Sequence, residues 1–295
     1  MEIKTLRSFL AVAREGNVTH AARSLHITQP ALSRQLSDLE RELGCELLIR
    51  ESRGVTLTDE GTLLRKRAEE IVSLADRTEL EIRSPAAEVE GDVWVGGGES
   101  RAMDIVARTT ARITSTHPGV RVRLHSGNAD DVLERVDKGL LDFGIVLGRK
   151  VGNRYETLEL PWQDRWGILV RRDHPLADRT SVTVDELREY RLIVSAQAHA
   201  VEGAAIPTVL PNFWEEGFNI VATYTLLYNA SLLVEQGVGV AVTIDGIVAA
   251  GEGTPFSFVP LEEVPLLPSK MVWKRFVPLS RASELFLSYL REDLG

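Results

Sequence analysis

The segment from Thr28 to Gly44 constrains the fold most, because its apolar residues fit a single kind of element. They recur at intervals of 4, 3 and 4 residues: Leu32, Leu36, Leu39 and Leu43. This spacing predicts an α-helix with one buried face. Thr28 is a typical N-cap residue, and Pro30 falls in the first turn, where its missing N–H has no cost. Gly44 predicts the end of the helix.

The opposite face of this helix has an uneven chemistry. Its N-terminal half presents Gln, Pro, Ser and Arg, whereas acidic Asp38 follows only later. A helix that inserts its N-terminal end into the DNA major groove needs small groups and base-contacting donors first, with acids held back. The pattern therefore predicts a recognition helix, although an exposed helix face without function has the same composition.

The flanking residues predict a small domain around this helix. A first helix is expected over about Lys4–Glu15 and a short second helix capped by Thr19. The stretch "CELLIRESRGVTLT" predicts two strands around an Arg-Gly turn, which form a wing. A long charged helix over Asp59–Arg83 follows, and "RSPAAEVEGD" predicts a hinge after it. The long helix carries a 4-3 repeat expected to pair with a second helix: Leu57, Gly61, Leu64, Ala68, Ile71, Ala75, Thr78 and Ile82.

The sequence pattern changes from Asp92 onward, where strand-like and helix-like segments alternate. Strands are predicted at "DVWVGGG", "GVRVRLH", "LLDFGIVL", "WGILVRR", "RLIVS", "FNIVATYT", "GVGVAVTI" and "KMVWKRF". Helices are predicted at 100–116, 129–139, Leu226–Glu235 and 280–293. This alternation predicts a parallel α/β sheet.

Charge argues against a general affinity for nucleic acid. The formal net charge is -9, and residues 1–58 hold eight Lys/Arg and seven Asp/Glu, or +1, which leaves -10 for the remainder. DNA binding by residues 1–58 would therefore need its basic groups on one face and a dimer to double the contact. The first residues form neither a signal peptide nor a spanning helix, so we expect a cytoplasmic protein without membrane contact.

Several enzyme signatures are missing from the sequence. The stretch "GGGESR" lacks the third glycine of a dinucleotide fingerprint, and no G-x-S-x-G motif occurs. The six histidines have no metal-binding spacing, and Cys45 is the single cysteine. We expect no catalytic residue, no metal and no cofactor, and thiol sensing is disfavoured because Cys45 lies beside the wing.

The stretch "FLAVAREGNVTHAARSLHITQPALSRQLSDLERELGCELLIRESRGVTLTDEG" resembles the winged helix-turn-helix of LysR-type transcriptional regulators nearly position for position. It departs at Asn17, where Ser is usual, and at Ile49, where Phe is usual. The resemblance continues more loosely in "HPGVRVRLHSGN", "LDFGIV", "DHPLA" and "LVEQGVGVAV".

The resemblance implies an α/β multi-domain protein in three parts. Residues 1–58 would form the winged helix-turn-helix, 59–90 the linker helix and hinge, and 91–295 an effector-binding domain. That domain would be of the periplasmic-binding-protein type, with a ligand cleft between two lobes. One lobe would span about 91–161 with 268–295, and the other 162–267.

The resemblance also implies partners and mechanism. Members of the family act as homodimers or homotetramers on double-stranded DNA with interrupted inverted repeats. A small-molecule effector changes the angle imposed on the DNA, and RNA polymerase is a further expected partner.

Candidate DNA-contacting residues follow from these patterns. Gln29 is suited to adenine, Arg34 to guanine and Pro30 to a thymine methyl, with Ser33 beside them. Five further residues are expected at phosphates and the minor groove: Thr28, Arg50, Ser52, Arg53 and Thr58. Arg53 at the wing tip is the preferred one of these, against the alternative of a solvated loop arginine.

Candidate effector contacts lie at strand-to-helix turns, where unpaired N–H groups collect anions. The turns "GGGESRA" and "HSGNADD" and the end of "RLIVS" are the positions that the family uses. The predicted contacts are Ser100, Arg101, Gly127, Asn128, Arg149, Ser195 and Tyr228. Arg101 and Arg149 offer charge to a carboxylate-bearing effector, whereas Glu99, Asp130 and Asp131 would repel one. Ser and Asn at these turns also suit plain helix caps.

Three functions remain open from the sequence. The first is a DNA-binding regulator controlled by a small molecule between the two lobes. The second is the same regulator without such an effector, and the third is a solute-binding or catalytic α/β protein in which residues 1–58 serve for dimerisation.

Overall fold

A computed structural model of the chain describes residues 1–51, 54–83, 89–196 and 217–295. The chain divides into two compact units, Met1–Pro85 and Ala86–Gly295. Each unit has its own hydrophobic core.

The first unit is a three-helix domain with a two-stranded wing and a long final helix. Its elements are α1 (Ile3–Glu15), α2 (Val18–Ser24), α3 (Gln29–Leu43), β1 (Leu48–Glu51), β2 (Gly54–Leu57) and α4 (Asp59–Arg83). Phe9 and Val12 of α1 are fully buried against Leu32 and Leu36 of α3. The predicted helix over about Lys4–Glu15 and the predicted wing are both present.

Asn17, and not Thr19, caps the second helix. The Asn17 Oδ1 atom accepts hydrogen bonds from the backbone N–H groups of Thr19 at 2.9 Å and His20 at 3.1 Å. The prediction of a Thr19 cap was wrong because two residues of N-cap type compete here. Asn17 has the extended backbone that a cap requires, whereas Thr19 already lies inside the helix.

The repeat on α4 is partly used inside the chain. Gly61 and Ala68 are buried, and α4 lies against α1. A Cβ atom at Gly61 would lie 2.1 Å from the Leu47 carbonyl oxygen, so only glycine permits this approach. Exposed apolar side chains of α4 are Leu63, Ile71 and Leu74, which belong mostly to a neighbouring face. The side chain of Ile82 lies outside the described part.

The second unit contains two lobes, each built on a five-stranded sheet. Lobe I comprises β3 (Gly91–Gly97), β4 (Val120–Ser126), β5 (Phe143–Leu147), β6 (Tyr155–Asp164) and β12 (Leu267–Lys274), with helices α5 (Met103–Thr116), α6 (Ala129–Asp137) and α8 (Arg281–Leu294). The strand order is β4-β3-β5-β12-β6. Phe143 and Phe286 are fully buried in its core, between the sheet and α8.

Lobe II comprises β7 (Trp166–Arg171), β8 (Arg191–Ser195), β9 (Asn219–Tyr224), β10 (Val240–Ile244) and β11 (Phe256–Pro260), with a 3-10 helix (Asp185–Glu189) and α7 (Leu227–Glu235). The strand order is β11-β7-β10-β8-β9. Ile168, Leu192 and Val259 are fully buried within it.

Both sheets are mixed, which corrects the prediction of a parallel sheet. Strand β12 runs antiparallel to β5 and β6, and β7 runs antiparallel to β10 and β11. The chain leaves lobe I after β6, enters lobe II at β7 and returns to lobe I at β12. Strands β7 and β12 therefore join their sheets without the right-handed crossover that parallel neighbours require. Strand β6 also runs to Asp164, which pairs with Leu267, and so passes the predicted lobe boundary at 161. Within the described ranges, no helix has the length and apolar composition needed to cross a membrane.

Candidate nucleic-acid interface and interlobe site

The start of α3 is fixed by a cap and by buried leucines. Thr28 Oγ1 accepts a hydrogen bond from the Ala31 N–H at 3.4 Å, and Pro30 lies in the first turn as predicted. Leu32, Leu36 and Leu39 are at most 1% exposed. Their burial determines which face of the helix points outward.

The outer face of α3 brings four predicted residues together. Gln29, Pro30 and Arg34 are exposed, and Ser33 lies at the border of this face. The Gln29 side-chain amide donates to Ser33 Oγ at 2.8 Å, so these two side chains are held side by side. The four residues therefore form a continuous polar surface at the N-terminal end of the helix.

Among the residues that the structure describes, two arginines near this surface, Arg34 and Arg23, are not engaged in ion pairs, in contrast to other arginines of the unit. Arg41, farther along α3, pairs with Asp38, and Arg7 pairs with Asp76 of α4. In the described part of the first unit, neither Arg34 nor Arg23 has a carboxylate partner, and both are exposed. Arg23 lies on α2, the helix that crosses the DNA backbone in helix-turn-helix proteins. It is a candidate phosphate contact that the sequence analysis missed, although a basic residue on this helix is a usable signal.

The wing is anchored to the helices by backbone groups. The Val55 N–H donates to the Gly16 carbonyl at 2.8 Å, and a Cβ at Gly54 would lie 2.7 Å from that carbonyl oxygen. Glu40 of α3 accepts hydrogen bonds from the backbone N–H groups of Leu47 at 2.9 Å and Leu48 at 3.2 Å. Glu40 is thus a positioning residue for the wing that local sequence patterns do not reveal.

Thr58 has a different use from the one predicted. Its hydroxyl donates to the Glu46 carbonyl at 2.8 Å and accepts from the Gly61 N–H at 2.9 Å, which makes it the cap of α4. The single hydroxyl proton is therefore committed and cannot also bind a phosphate. Of the other predicted wing contacts, the side chain of Arg50 and residues Ser52 and Arg53 lie outside the described part.

In the second unit, the predicted effector contacts gather where the strands of the two lobes end. Strands β3, β4, β5 and β6 all point the same way, because β6 and β5 both oppose β12. Their carboxyl ends lead into residues 98–101, 127–128, 148–149 and 164–165. Ligands of α/β proteins bind at this edge. We call these residues, with 195, 226–228 and 245–246 of lobe II, the interlobe site.

Two contacts join the lobes at this site. The Glu99 carboxylate of lobe I accepts a hydrogen bond from the Leu227 N–H of lobe II at 2.7 Å. The Arg101 side chain lies against Gly246, where an added Cβ would be 2.3 Å from Arg101 Cδ. The carboxyl edges of the two sheets therefore face each other.

Ser100 keeps an unused hydroxyl at the interlobe site. Its Oγ atom is buried and has no hydrogen-bond partner, and α5 begins after Ala102 without a side-chain cap. A buried hydroxyl without a partner costs free energy unless a ligand or water completes it. The alternative of a plain cap therefore does not apply to Ser100.

Asn128 and Arg149 have partners within the chain. The Asn128 Oδ1 atom accepts from the Asp131 N–H at 2.8 Å and caps α6, which is the alternative noted from the sequence. Gly127 donates its N–H to the Gly97 carbonyl at 3.1 Å and permits the turn. Arg149 forms an ion pair with Asp130 at 2.5 Å, so its charge is neutralised. Arg149, predicted to offer charge to a carboxylate-bearing effector, therefore has its charge paired with Asp130, the nearby acid that the sequence analysis set against that role.

Asp131 completes a local network at the start of α6. Its carboxylate contacts His125 Nε2 at 2.6 Å and accepts from Arg135 Nε at 2.9 Å. Burial acts to raise the pKa of Asp131, but the hydrogen bonds from His125 and Arg135 outweigh it and lower that pKa.

Asp164 is the least compensated group of the interlobe site, and no sequence pattern pointed to it. It ends β6, it is 0% exposed, and neither carboxylate oxygen has a hydrogen bond of normal geometry. Burial raises its pKa to about 6; the Asp245 charge adds to the rise, and the nearby backbone N–H and charge of Arg101 offset it only in part. Asp245 itself accepts from the Arg165 N–H at 3.1 Å.

The last two predicted contacts lie on lobe II. Ser195 is the final residue of β8 and is half-buried, and the segment after residue 196 is outside the described part. Tyr228 is 65% exposed at the start of α7. Tyr224 nearby donates its hydroxyl to the Val242 carbonyl, and burial raises its pKa to about 12, with the Glu99 charge adding to the rise.

A winged helix-turn-helix unit followed by a two-lobed α/β unit defines a class of bacterial DNA-binding regulators. Two family models match the chain in this arrangement. "Bacterial regulatory helix-turn-helix protein, lysR family" matches residues 3–62, and "LysR substrate binding domain" matches residues 86–295.

Curated relatives agree with this assignment. The chain is 29% identical to the Hca operon transcriptional activator HcaR of Escherichia coli (strain K12) over 298 residues, covering 100% of this chain and 99% of HcaR. It is 30% identical over 201 residues to the HTH-type transcriptional regulator YybE of Bacillus subtilis (strain 168), covering 68% of each.

A solved structure has the same fold over the whole chain. The crystal structure of CbnR, a LysR family transcriptional regulator, superposes with a TM-score of 0.74 at 23% identity and 100% coverage of both chains. CbnR complexed with its target DNA superposes with a TM-score of 0.72 at 22% identity, covering 99% of each chain.

The chain belongs to the LysR family of transcriptional regulators and carries that family's DNA-binding and substrate-binding domains. The expected fold class is confirmed.

Proposed function

We propose that this regulator recognises its operator with the outer face of α3 and that a small molecule at the interlobe site controls its occupancy of DNA. The observation that carries the first part is the exposure of Gln29, Pro30 and Arg34 beside Ser33, with the leucines of α3 buried behind them. Arg34 suits the O6 and N7 atoms of guanine, and Gln29 suits adenine.

Phosphate contacts fall to residues around this face. Arg23 is exposed on α2, and Arg50, Ser52 and Arg53 of the wing are proposed from the sequence. Such contacts position the protein on the duplex and carry no sequence information.

The assignment of Arg34 is tested with the chain's own upstream DNA, titrated with salt. We expect Arg34→Ala to cost about 1–3 kcal/mol on the specific site and to reduce preference between sequences. Arg23→Ala should weaken all duplexes about equally and reduce the salt slope by about 1. Arg41→Ala is the matched control, since Arg41 pairs with Asp38 farther along α3.

If Arg34→Ala keeps the preference of the parent, the recognition surface is misassigned. If Arg34→Ala and Arg41→Ala weaken specific binding equally, the contribution of α3 is only its overall charge.

A self-associated form would supply two recognition helices for an inverted repeat. Exposed Leu63, Ile71 and Leu74 on α4 support a homodimer through this helix, because apolar side chains at helical spacing favour a partner. A homotetramer and contact with RNA polymerase are proposed from the family resemblance. Sedimentation equilibrium of the full chain measures the assembly.

Control by an effector is supported by the interlobe site. The Ser100 hydroxyl and the Asp164 carboxylate are both buried there without partners. An effector can change DNA occupancy only if it binds one arrangement of the protein better than another. A regulator that responds to a protein, or that acts constitutively, is the alternative; it predicts that no small molecule raises the melting temperature.

A further inference from the structure

Two of the three helix N-termini at the interlobe site, those of α6 and α7, already carry carboxylates of the chain, whereas α5 begins without a side-chain cap. At α6, the first turn carries Asp130 and Asp131, which are paired with Arg149, His125 and Arg135. At α7, Leu226 supplies no side-chain cap, and Glu99 from the other lobe accepts the Leu227 N–H instead. At α6 and α7, an incoming carboxylate would have to displace these groups or lie beside them.

The remaining fixed charges also disfavour an anion. Besides the charged groups that are paired around α6, the interlobe site contains three acids, Glu99, Asp164 and Asp245, and two bases, Arg101 and Arg165. Arg165 lies 3.8 Å from Asp245, so that pair is largely neutral. Two negative charges, those of Glu99 and Asp164, then remain against the one positive charge of Arg101, so the site is negative overall.

Asp164 identifies where a ligand would be recognised. Its carboxylate is fully buried and receives no hydrogen bond of normal geometry, and it lies near the backbone N–H of Arg101, the residue after Ser100. Both lobes surround it, since Arg101 belongs to lobe I and Asp245 to lobe II. A buried carboxylate without donors is costly, and a cationic N–H donor is the group that compensates it best.

One buried donor close to Asp164 in the sequence also lacks a partner. The indole N–H of Trp166, two residues after Asp164, has no acceptor. A neutral N–H attracts a carboxylate much less than the charge of Asp164 repels it, because charge–charge interactions dominate in a buried site. The unpaired Trp166 donor therefore does not favour a carboxylate over a cation at Asp164.

We propose that the effector carries a protonated amine, which enters between the lobes and donates hydrogen bonds to the Asp164 carboxylate and the Ser100 hydroxyl oxygen. This proposal rests on the proposed function, in which a small molecule binds at this site. It replaces the carboxylate-bearing effector expected from the sequence, since Arg149 is paired and Asp164 is not.

The test uses the full chain and two minimal probes of opposite charge. Thermal unfolding is followed at pH 7.5 with ethylammonium chloride, sodium acetate or sodium chloride at equal ionic strength. We expect ethylammonium to raise the melting temperature by about 3–5 °C at ten times its Kd, and acetate to match sodium chloride. The effect should weaken below pH 6, where Asp164 takes up a proton.

Variants separate this site from general charge effects. Asp164→Asn should remove the response to ethylammonium, and Ser100→Ala should weaken it several-fold while it leaves Asp164 in place. Asp178→Asn is the matched control, because Asp178 is an exposed aspartate of lobe II. If Asp164→Asn fails to fold, Ser100→Ala still decides the outcome.

The possible results are distinct. Stabilisation by acetate and not by ethylammonium overturns the amine while an effector at this site stands. An equal response of the parent, Asp164→Asn and Ser100→Ala to ethylammonium overturns the site. If neither probe stabilises the chain, the amine proposal fails, and a melting-temperature screen of larger metabolites then decides separately whether any effector binds.

Discussion

The Asp164→Asn variant should become more stable than the parent as the pH rises, which is the opposite of what an ordinary paired aspartate would give. Asn has nearly the same shape as Asp but carries no charge. In the parent, burial, which Arg101 offsets only in part, raises the pKa of Asp164 from its ordinary value of 3.8 to about 6. The folded state therefore holds this proton more tightly than the unfolded state does.

The sign and size of the effect follow from proton linkage. For an acid whose folded pKa is raised, stability is greatest while the group is protonated and falls as the pH rises from the unfolded pKa through the folded one. One pKa unit corresponds to about 1.4 kcal/mol, so the rise from 3.8 to about 6 corresponds to about 3 kcal/mol. The parent is expected to lose this free energy of unfolding between about pH 4 and pH 6, and the loss should be constant above that range.

The assay is urea or thermal unfolding of the two proteins between pH 4 and pH 8, expressed as the difference in free energy of unfolding. The difference cancels titration of other groups, such as Asp131, whose pKa is lowered and whose contribution is lost as the pH falls. For a unit of this size, about 3 kcal/mol corresponds to a melting-temperature difference of about 6–12 °C. The amide N–H groups that the substitution introduces would reduce the gain by a constant amount, without changing its pH dependence.

Two results would refute this reasoning. A difference that stays flat from pH 4 to pH 8 would mean that the folded and unfolded pKa values of Asp164 are the same. A parent that gains on the variant as the pH rises would mean that Asp164 has a cationic partner. Asp178→Asn, measured in parallel, controls for the replacement of an aspartate by an amide at an exposed position.

Two further contacts give predictions of their own. Glu40→Ala leaves the backbone N–H groups of Leu47 and Leu48 without their acceptor; we expect a loss of about 1–3 kcal/mol in chemical unfolding, and weaker binding to all duplexes alike because the wing is displaced. Glu99→Ala removes the acceptor at the start of α7; hydrogen exchange at the Leu227 amide should accelerate and stability should fall by about 1 kcal/mol, with a smaller loss for Glu99→Gln, which retains an acceptor oxygen. An unchanged exchange rate in Glu99→Ala would mean that the bond between the lobes does not persist in solution.

Local patterns predicted the elements of this chain well, because their causes lie within a few residues. The leucine stripe of α3, the Thr28 cap and the Gly44 end are all present, with Gly44 at a φ of 71°. The amphipathic α8 and the wing have the same kind of origin. Asn17 against Thr19 shows the limit, since both residues are good caps and the backbone decides between them.

The parts that sequence did not reveal depend on long-range contacts. Arg149 and Asp130 are 19 residues apart, and Glu99 meets Leu227 across 128 residues. Neither pairing follows from periodicity or from composition. Asp164 is buried because β6 ends at the same edge of the sheet as β3 and β5. This arrangement requires β12 to lie between β5 and β6 in the sheet. A short stretch such as "WQDRW" carries no sign of that order.

The free-energy cost of burying Asp164 is of the size that a regulatory ligand would have to supply under the proposed function. Coupling between an effector and DNA corresponds to about 1–3 kcal/mol in typical allosteric proteins. Above pH 6, the ionised and uncompensated Asp164 lowers the free energy of unfolding by about 3 kcal/mol. A cationic group that binds only when the lobes surround Asp164 would recover part of that free energy in one arrangement and not in the other. Under the proposed function, the ligand-free cost of burying Asp164 would be a source of the differential affinity that switching requires.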